Sequence, residues 1–406
     1  MMKNIALIVI SLILVNCNKD SEEPFLNEEP VIKTLQAISV DATGATFRGE
    51  LVQKGEAKIN AYGFVWSLWD FEEPNVNTSN KITFESDVST GIFEARIDSL
   101  LASGFEYKIK TFASYGTKTI YGNTVSFMSK GSEKSIWSKE LSNLNLPGVH
   151  VPYGFSDKEN GYVLFQDTKT YKYNPNEKVF HQIASFPNPD GSSGTKFTAV
   201  HLNDSNYILN DIDTNLYELN ENTWSVLSVA PFNYEGFGGY YHGYSNANNI
   251  LILSSYKSFN YAPETDQWYS KSSLSAEGFS VGGTNLDGIA YIMTSRKKIY
   301  SYNSVDDTWD YVTEYPGVLK SNIIGFSYSN KIYFGFSYLN HEETPWIDQT
   351  FWSFDLTKRS WTQIAPLPKE LSTRGTMFFF ILKNKLFIGH GVSKYYDLYA
   401  LDFTKL

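Results

Sequence analysis

One pattern governs what this chain can fold into. From Gly131 onward an aromatic strand, a polar turn and then a Trp or Phe recur, often with a proline after them. Five such units are whole: YKYNPNEKVF ending at Phe180, LYELNENTW at Trp224, FNYAPETDQW at Trp268, IYSYNSVDDTW at Trp309 and FWSFDLTKRSW at Trp361. A sixth is split, because Trp137 opens the region with no aromatic strand before it and LYALDF (398–403) closes the chain with no Trp after it. Counted from Trp137, the spacings are 43, 44, 44, 41 and 52 residues. Each is the length of one four-stranded propeller blade, and a unit of that size buries its apolar faces only against neighbours. Joined, the split halves make a last blade that closes the ring and removes a free sheet edge. The tryptophans read as structural.

The rest of the chain fits an all-β protein. Hydrophobic residues are 42% of the 406, aromatics 16% and charged residues 19%, which excludes bulk disorder. Between Val31 and Met128, short alternating runs (ATFRGEL, INAYGFVWS, GIFEARI, FEYKIKTFAS, NTVSFMS) predict about seven strands of a β-sandwich. The net charge of −10 argues against broad binding to nucleic-acid phosphate. A single cysteine excludes a disulfide framework, a cysteine zinc site and an iron-sulfur cluster.

LLASGFEYKIKTFA (100–113) resembles the corner of a fibronectin type III domain, where a leucine precedes a tyrosine that opens strand F, which makes Tyr107 the corner tyrosine. AYGFVWS and TIYGNTVSF resemble that family's strands C and G, with Trp66 and Tyr62 as core and sheet-face aromatics. Residues 131–406 resemble the kelch-type propeller, close to the central domain of galactose oxidase. The diglycine that should close each second strand has mostly decayed, and Gly282-Gly283 does not sit there. The expected fold class is therefore all-β: a fibronectin type III-like sandwich (30–129) followed by a six-bladed kelch-type β-propeller (131–406).

The first segment reads as an address. Lys3 precedes the eleven-residue apolar run IALIVISLILV (5–15), too short to span a bilayer and right for a secretory signal. The run ends in Leu14-Val15-Asn16-Cys17, which resembles a bacterial lipobox, with Asn16 departing from the usual small residue. The resemblance implies a lipoprotein signal peptide (1–16), lipid attachment at Cys17, and an acidic tether (17–29) whose NKDSEEPFLNEE resembles a surface-export signal or serves only as an extended spacer. Outer-membrane anchoring, with possible surface exposure, follows.

In such a propeller the blade-to-blade connections and the turns between second and third strands open on one face. That face should collect 188–194, 211–213, 233–236, 295–297, 339–350, 369–374 and 390–397. The widest spacing comes from LNHEETPWIDQT (339–350), which adds roughly ten residues to the fifth blade, and insertions on one face of a repeat are commonly functional. Its His341, Trp346 and Asp348 bring an aromatic platform beside carboxylates, as carbohydrate or peptide recognition needs. Asp190, Arg296, Arg374 and His390 complete the candidate ligand-binding set. No cofactor or metal is expected, because the six histidines show no paired ligand spacing. Copper radical oxidase chemistry, which the galactose oxidase resemblance brings to mind, needs a cysteine cross-link that Cys17 cannot supply. A sialidase needs three converging arginines, and Arg359 falls on the opposite face from Arg296 and Arg374. The expected function is non-catalytic: a lipid-anchored envelope protein whose propeller grips a glycan or protein. The alternatives are a kelch-propeller enzyme acting on sugars, such as an epimerase, mutarotase or lyase, and a scaffold subunit of an outer-membrane complex.

Overall fold

The computed structural model describes residues 29–406 apart from residues 57, 70–72, 86–87, 147–151, 166, 188–196, 211–212, 233–240, 255–256, 275–277, 321, 339–349, 365, 369–370, 372–376 and 390–395. Eight strands come first: β1 (Val31–Asp41), β2 (Gly44–Gln53), β3 (Ile59–Leu68), β4 (Asn80–Phe84), β5 (Gly91–Ile97), β6 (Glu106–Tyr115), β7 (Lys118–Tyr121) and β8 (Val125–Met128). They form two antiparallel sheets, β1-β2-β5 and β4-β3-β6-β7, with β8 also on β6. Alternate residues of both sheets meet in one core, where Phe47 sits edge-on to Phe64, Trp66 and Phe127. Tyr107 is buried and its hydroxyl accepts the Ala102 N–H at 2.9 Å. Burial pushes the Tyr107 phenol far up, so it stays neutral. Tyr107→Phe keeps the ring but orphans that N–H, so urea unfolding is expected to show a loss of about 1–3 kcal/mol. Unchanged stability would mean that water replaces the hydroxyl.

Six four-stranded antiparallel sheets follow, five of them built from consecutive strands. The sixth takes Phe378–Leu382, Lys385–Gly389 and Leu398–Asp402 from the C-terminus and Trp137–Leu141 from the start of the region. The second strands show why the sheets assemble as blades. GYVLF (161–165) is buried throughout, with Val163 and Phe165 facing the sixth blade while Tyr162 and Leu164 face the second. A strand covered on both faces needs a continuous apolar run, and NILIL (249–253) and IAYIMT (289–294) repeat the arrangement. Six apolar clusters, one between each neighbouring pair of blades and including the sixth with the first, close the ring. This is a six-bladed β-propeller.

The repeated aromatics lock each blade from within. Tyr173 and Phe180, Tyr261 and Trp268, Tyr302 and Trp309, and Phe354 and Trp361 meet at ring-centre distances of 4.9 to 5.0 Å and angles of 39° to 48°. The residue that turns each chain into its fourth strand lies in the left-handed region at Lys178, Glu221, Asp266, Asp307 and Arg359. Four of these five reach back to the outer strand of the preceding blade. Asp266 accepts from Ser228 N–H, Asp307 from Ser272 N–H, Arg359 donates to the Val312 carbonyl and Lys178 pairs with Glu140. The polar turns are therefore blade-to-blade clasps. Gly282-Gly283 lies in a first strand, as the sequence had placed it outside the second.

Sandwich and propeller are joined by more than the linker. The Leu100 side chain packs against both the sandwich core and the cluster between blades five and six. Lys134 N–H donates to Asp98 at 2.8 Å, and Gln363 N–H, on the outer strand of blade five, donates to Thr78 at 3.2 Å.

Candidate functional site

Antiparallel order puts the start of each first strand, the end of each second and the start of each third at one end of the propeller. Small polar residues gather there in place of aliphatic ones, among them Thr170, Thr198, Asn210, Thr214, Ser254, Ser258, Ser280, Thr294, Asn322, Ser337 and Thr350, all buried. Several of them satisfy the backbone where the sheets stop. Thr198 donates to the Tyr241 carbonyl, Thr294 to Lys298 and Ser337 to Asn322. Aliphatic side chains would leave those carbonyls unmet.

Groups at this end without a hydrogen-bond partner among the described residues include Thr170 Oγ1, His242 Nε2, Ser280 Oγ and Asn322 Nδ2. The last three stand at the starts of three consecutive first strands, in blades three, four and five. Two ladder irregularities sit beside them, between Ser280 and Gly282 and between Asn322 and Ile324. The second coincides with Phe336, a buried non-glycine residue at φ 54° whose N–H donates to Thr350. Bulges of this kind re-aim side chains at sheet ends. Phe336 stands at the base of the blade-five insertion.

Burial pushes His242 from its ordinary 6.5 down to about 4, against the opposing pull of the Ser280 backbone. The imidazole is therefore neutral at pH 7, an uncharged group in a polar mouth. Burial shifts His201, lower on the neighbouring first strand, in the same direction. The unfolded chain takes up these protons as pH falls below 6.5, whereas the folded chain refuses His242's until about pH 4. Stability is thus complete above 6.5 and falls between 6.5 and 4, by roughly 2–3 kcal/mol for His242. Thermal melts at pH 7 and pH 5 should differ less in His242→Gln than in the unaltered chain. An equal pH dependence would place a hydrogen-bonded, chargeable imidazole there instead.

Of the residues singled out from sequence, the structure describes Arg296, which is exposed on the turn between the second and third strands of blade four. Cys17, Asp190, His341, Trp346, Asp348, Arg374 and His390 lie outside the described residues, so nothing groups them with Arg296. Asp213 is a turn former that accepts from the Asn215 N–H and the Tyr217 hydroxyl. Arg296 has other company. Phe279 and Val318, 48% and 42% exposed, stand on the connections that lead into and out of blade four. Ser295 N–H donates to the Phe279 carbonyl and Tyr315 N–H to the Lys297 carbonyl, which fixes the three turns against one another. Exposed Phe279 and Val318 thus stand on the two connections that flank the turn bearing Arg296. No motif announces this arrangement, since single residues in Gly- and Ser-containing loops carry no periodicity. No cluster of three or more His, Cys, Asp or Glu suited to a metal occurs among the described residues.

Comparison with known proteins places the chain by fold. No family model and no curated protein matches its sequence. Among solved structures, that of YjhT, a kelch-type propeller, matches 64% of this chain and 95% of its own length, with a TM-score of 0.50 at 12% identity. At that identity the likeness establishes the propeller architecture and nothing of ligand or activity.

Proposed function

We propose that this chain is a non-catalytic binding protein of the cell envelope, carried by a lipid on Cys17 and holding a glycan or protein partner on the loop face of its propeller. The observation that carries the reading is the exposed Phe279, Arg296 and Val318 surface beside the polar mouth. Aromatic and arginine side chains are enriched where partners bind. The Tyr107 corner and the order of the two sandwich sheets support a fibronectin type III-like module between anchor and propeller. Docked through Leu100 and Thr78, that module presents the propeller at a fixed angle.

Photo-cross-linking in envelope-bearing cells tests this. A cross-linker replacing Tyr396, 40% exposed on the loop face, is expected to capture a discrete partner. One replacing Lys158, in a hairpin on the opposite face, is not. Capture from Lys158 alone would overturn the reading. A glycan array with residues 18–406 and its Trp346→Ala variant then assigns the partner's class, and radiolabelled palmitate incorporated in the full chain but not in Cys17→Ala tests the anchor.

A further inference from the structure

We propose that the loop-face corner of blade four docks an acidic, apolar-containing segment of a protein partner, with Arg296 and Lys297 meeting its carboxylates and Phe279 and Val318 its apolar side chains. This rests on the loop-face reading above and names the partner's chemistry. Charge gives the first argument. The chain carries −10 overall, yet Arg296, Lys297 and Lys298 follow one another on this turn. Lys298 stands opposite Glu314 in the sheet. Arg296 and Lys297 have no carboxylate partner among the described residues, and with Lys298 they make a run of three cations on an acidic molecule, a cationic spot. Such a spot steers an anionic segment towards itself and repels cationic ones.

The second argument is rigidity. The Lys297 N–H donates to the Thr294 carbonyl at 2.9 Å, the Ser295 N–H to Phe279 at 2.9 Å and the Tyr315 N–H to Lys297 at 2.8 Å. A Cβ on Gly278 would lie 2.7 Å from Ser295 Oγ and 3.6 Å from Arg296 Cγ, so the connection bearing Phe279 lies directly against the turn. A partner finds its contacts already arranged and loses little conformational entropy on docking. The third argument separates protein from sugar. A saccharide platform needs a flat ring with acceptors around it, whereas here the second anchor is aliphatic and the polar groups are cationic donors. Arginine and aromatic side chains are the residue types enriched at protein interfaces.

The test uses the folded chain, residues 18–406, on a peptide array graded in net charge and in Phe and Leu content. Acidic peptides that contain Phe or Leu should be retained and released by salt. Arg296→Glu should weaken the retained peptides about tenfold or more and Phe279→Ala by a similar factor, while Lys158→Glu on the opposite face leaves them unchanged. Both target side chains are exposed, and unaltered thermal melts of the variants show that folding is intact. Equal retention of basic peptides, or retention that survives Arg296→Glu, overturns the proposal. A silent array together with loop-face cross-links from Tyr396 overturns it too, and leaves the broader binding reading standing.

Discussion

Removing the last nine residues, Leu398 to Leu406, should leave a chain that no longer unfolds cooperatively and that protease digests through the propeller. The strand Leu398–Asp402 is the third of the closing blade and the only one paired with Trp137–Leu141. Leu398, Ala400 and Leu401 are fully buried, and they divide between the cluster facing blade one and the cluster facing blade five. Phe403 follows in a short 3-10 turn, 4.6 Å from the Phe326 ring and stacked on it. Deleting one buried Leu or Phe side chain costs about 2–5 kcal/mol, so losing several together exceeds the whole stability of a typical domain. The tie is also ionic. Glu140, on the N-terminal strand, holds Lys385 of its own blade at 2.8 Å and Lys178 of blade one at 3.2 Å. Burial works against this carboxylate, but Lys385, Ser138 and Lys178 outweigh it and keep its pKa low. Phe403→Ala alone should cost about 3–5 kcal/mol in thermal unfolding. A truncated chain that melts where the full one does would show that the blades stand without closure.

How much of this could be read from the residues depends on what repeats. The blade signal is legible because the same contact recurs: a third-strand aromatic against a fourth-strand Trp or Phe, with a turn residue such as Asp266 or Asp307 reaching the blade before. Packing forces that periodicity. Tyr107 was legible for a related reason, since its hydroxyl serves one particular turn. The site is different. Phe279, Arg296 and Val318 come from three connections that share no spacing, and His242, Ser280 and Asn322 are single residues at the starts of three strands. Recognition varies from blade to blade, so it leaves no repeat to detect. The blade order alone puts Arg296 on a loop-face turn, whereas an exposed Phe279 or Val318 looks in sequence like a core residue.

The decayed diglycine points to the second large effect. The first strands of this propeller carry Gly154, Gly243, Gly282, Gly283 and Gly325. A Cβ on Gly154 would fall on the carbonyl of Phe379 in the sixth blade, and one on Gly282 would fall on the carbonyl of Ile323 in the fifth. Both obstacles are backbone, so no side-chain rotation relieves them. The first strands therefore approach backbone to backbone around the axis. Side chains stitch the same ring: Tyr153 accepts the Ala199 N–H from the next blade, and Ser327 donates to the Asn285 carbonyl of the one before. Gly154→Ala must push two blades apart, and it should cost about 3 kcal/mol or more, at or above the usual range for overpacking. It also moves the strand start that borders the mouth. Gly91→Ala in the sandwich, where a Cβ meets nothing within 4 Å but the φ is +126°, isolates the cost of conformation alone. Thermal melts of the two variants separate the causes. A loss in Gly154→Ala no greater than that in Gly91→Ala would mean that the axis has slack, and that the closeness of the first strands does not hold the ring together.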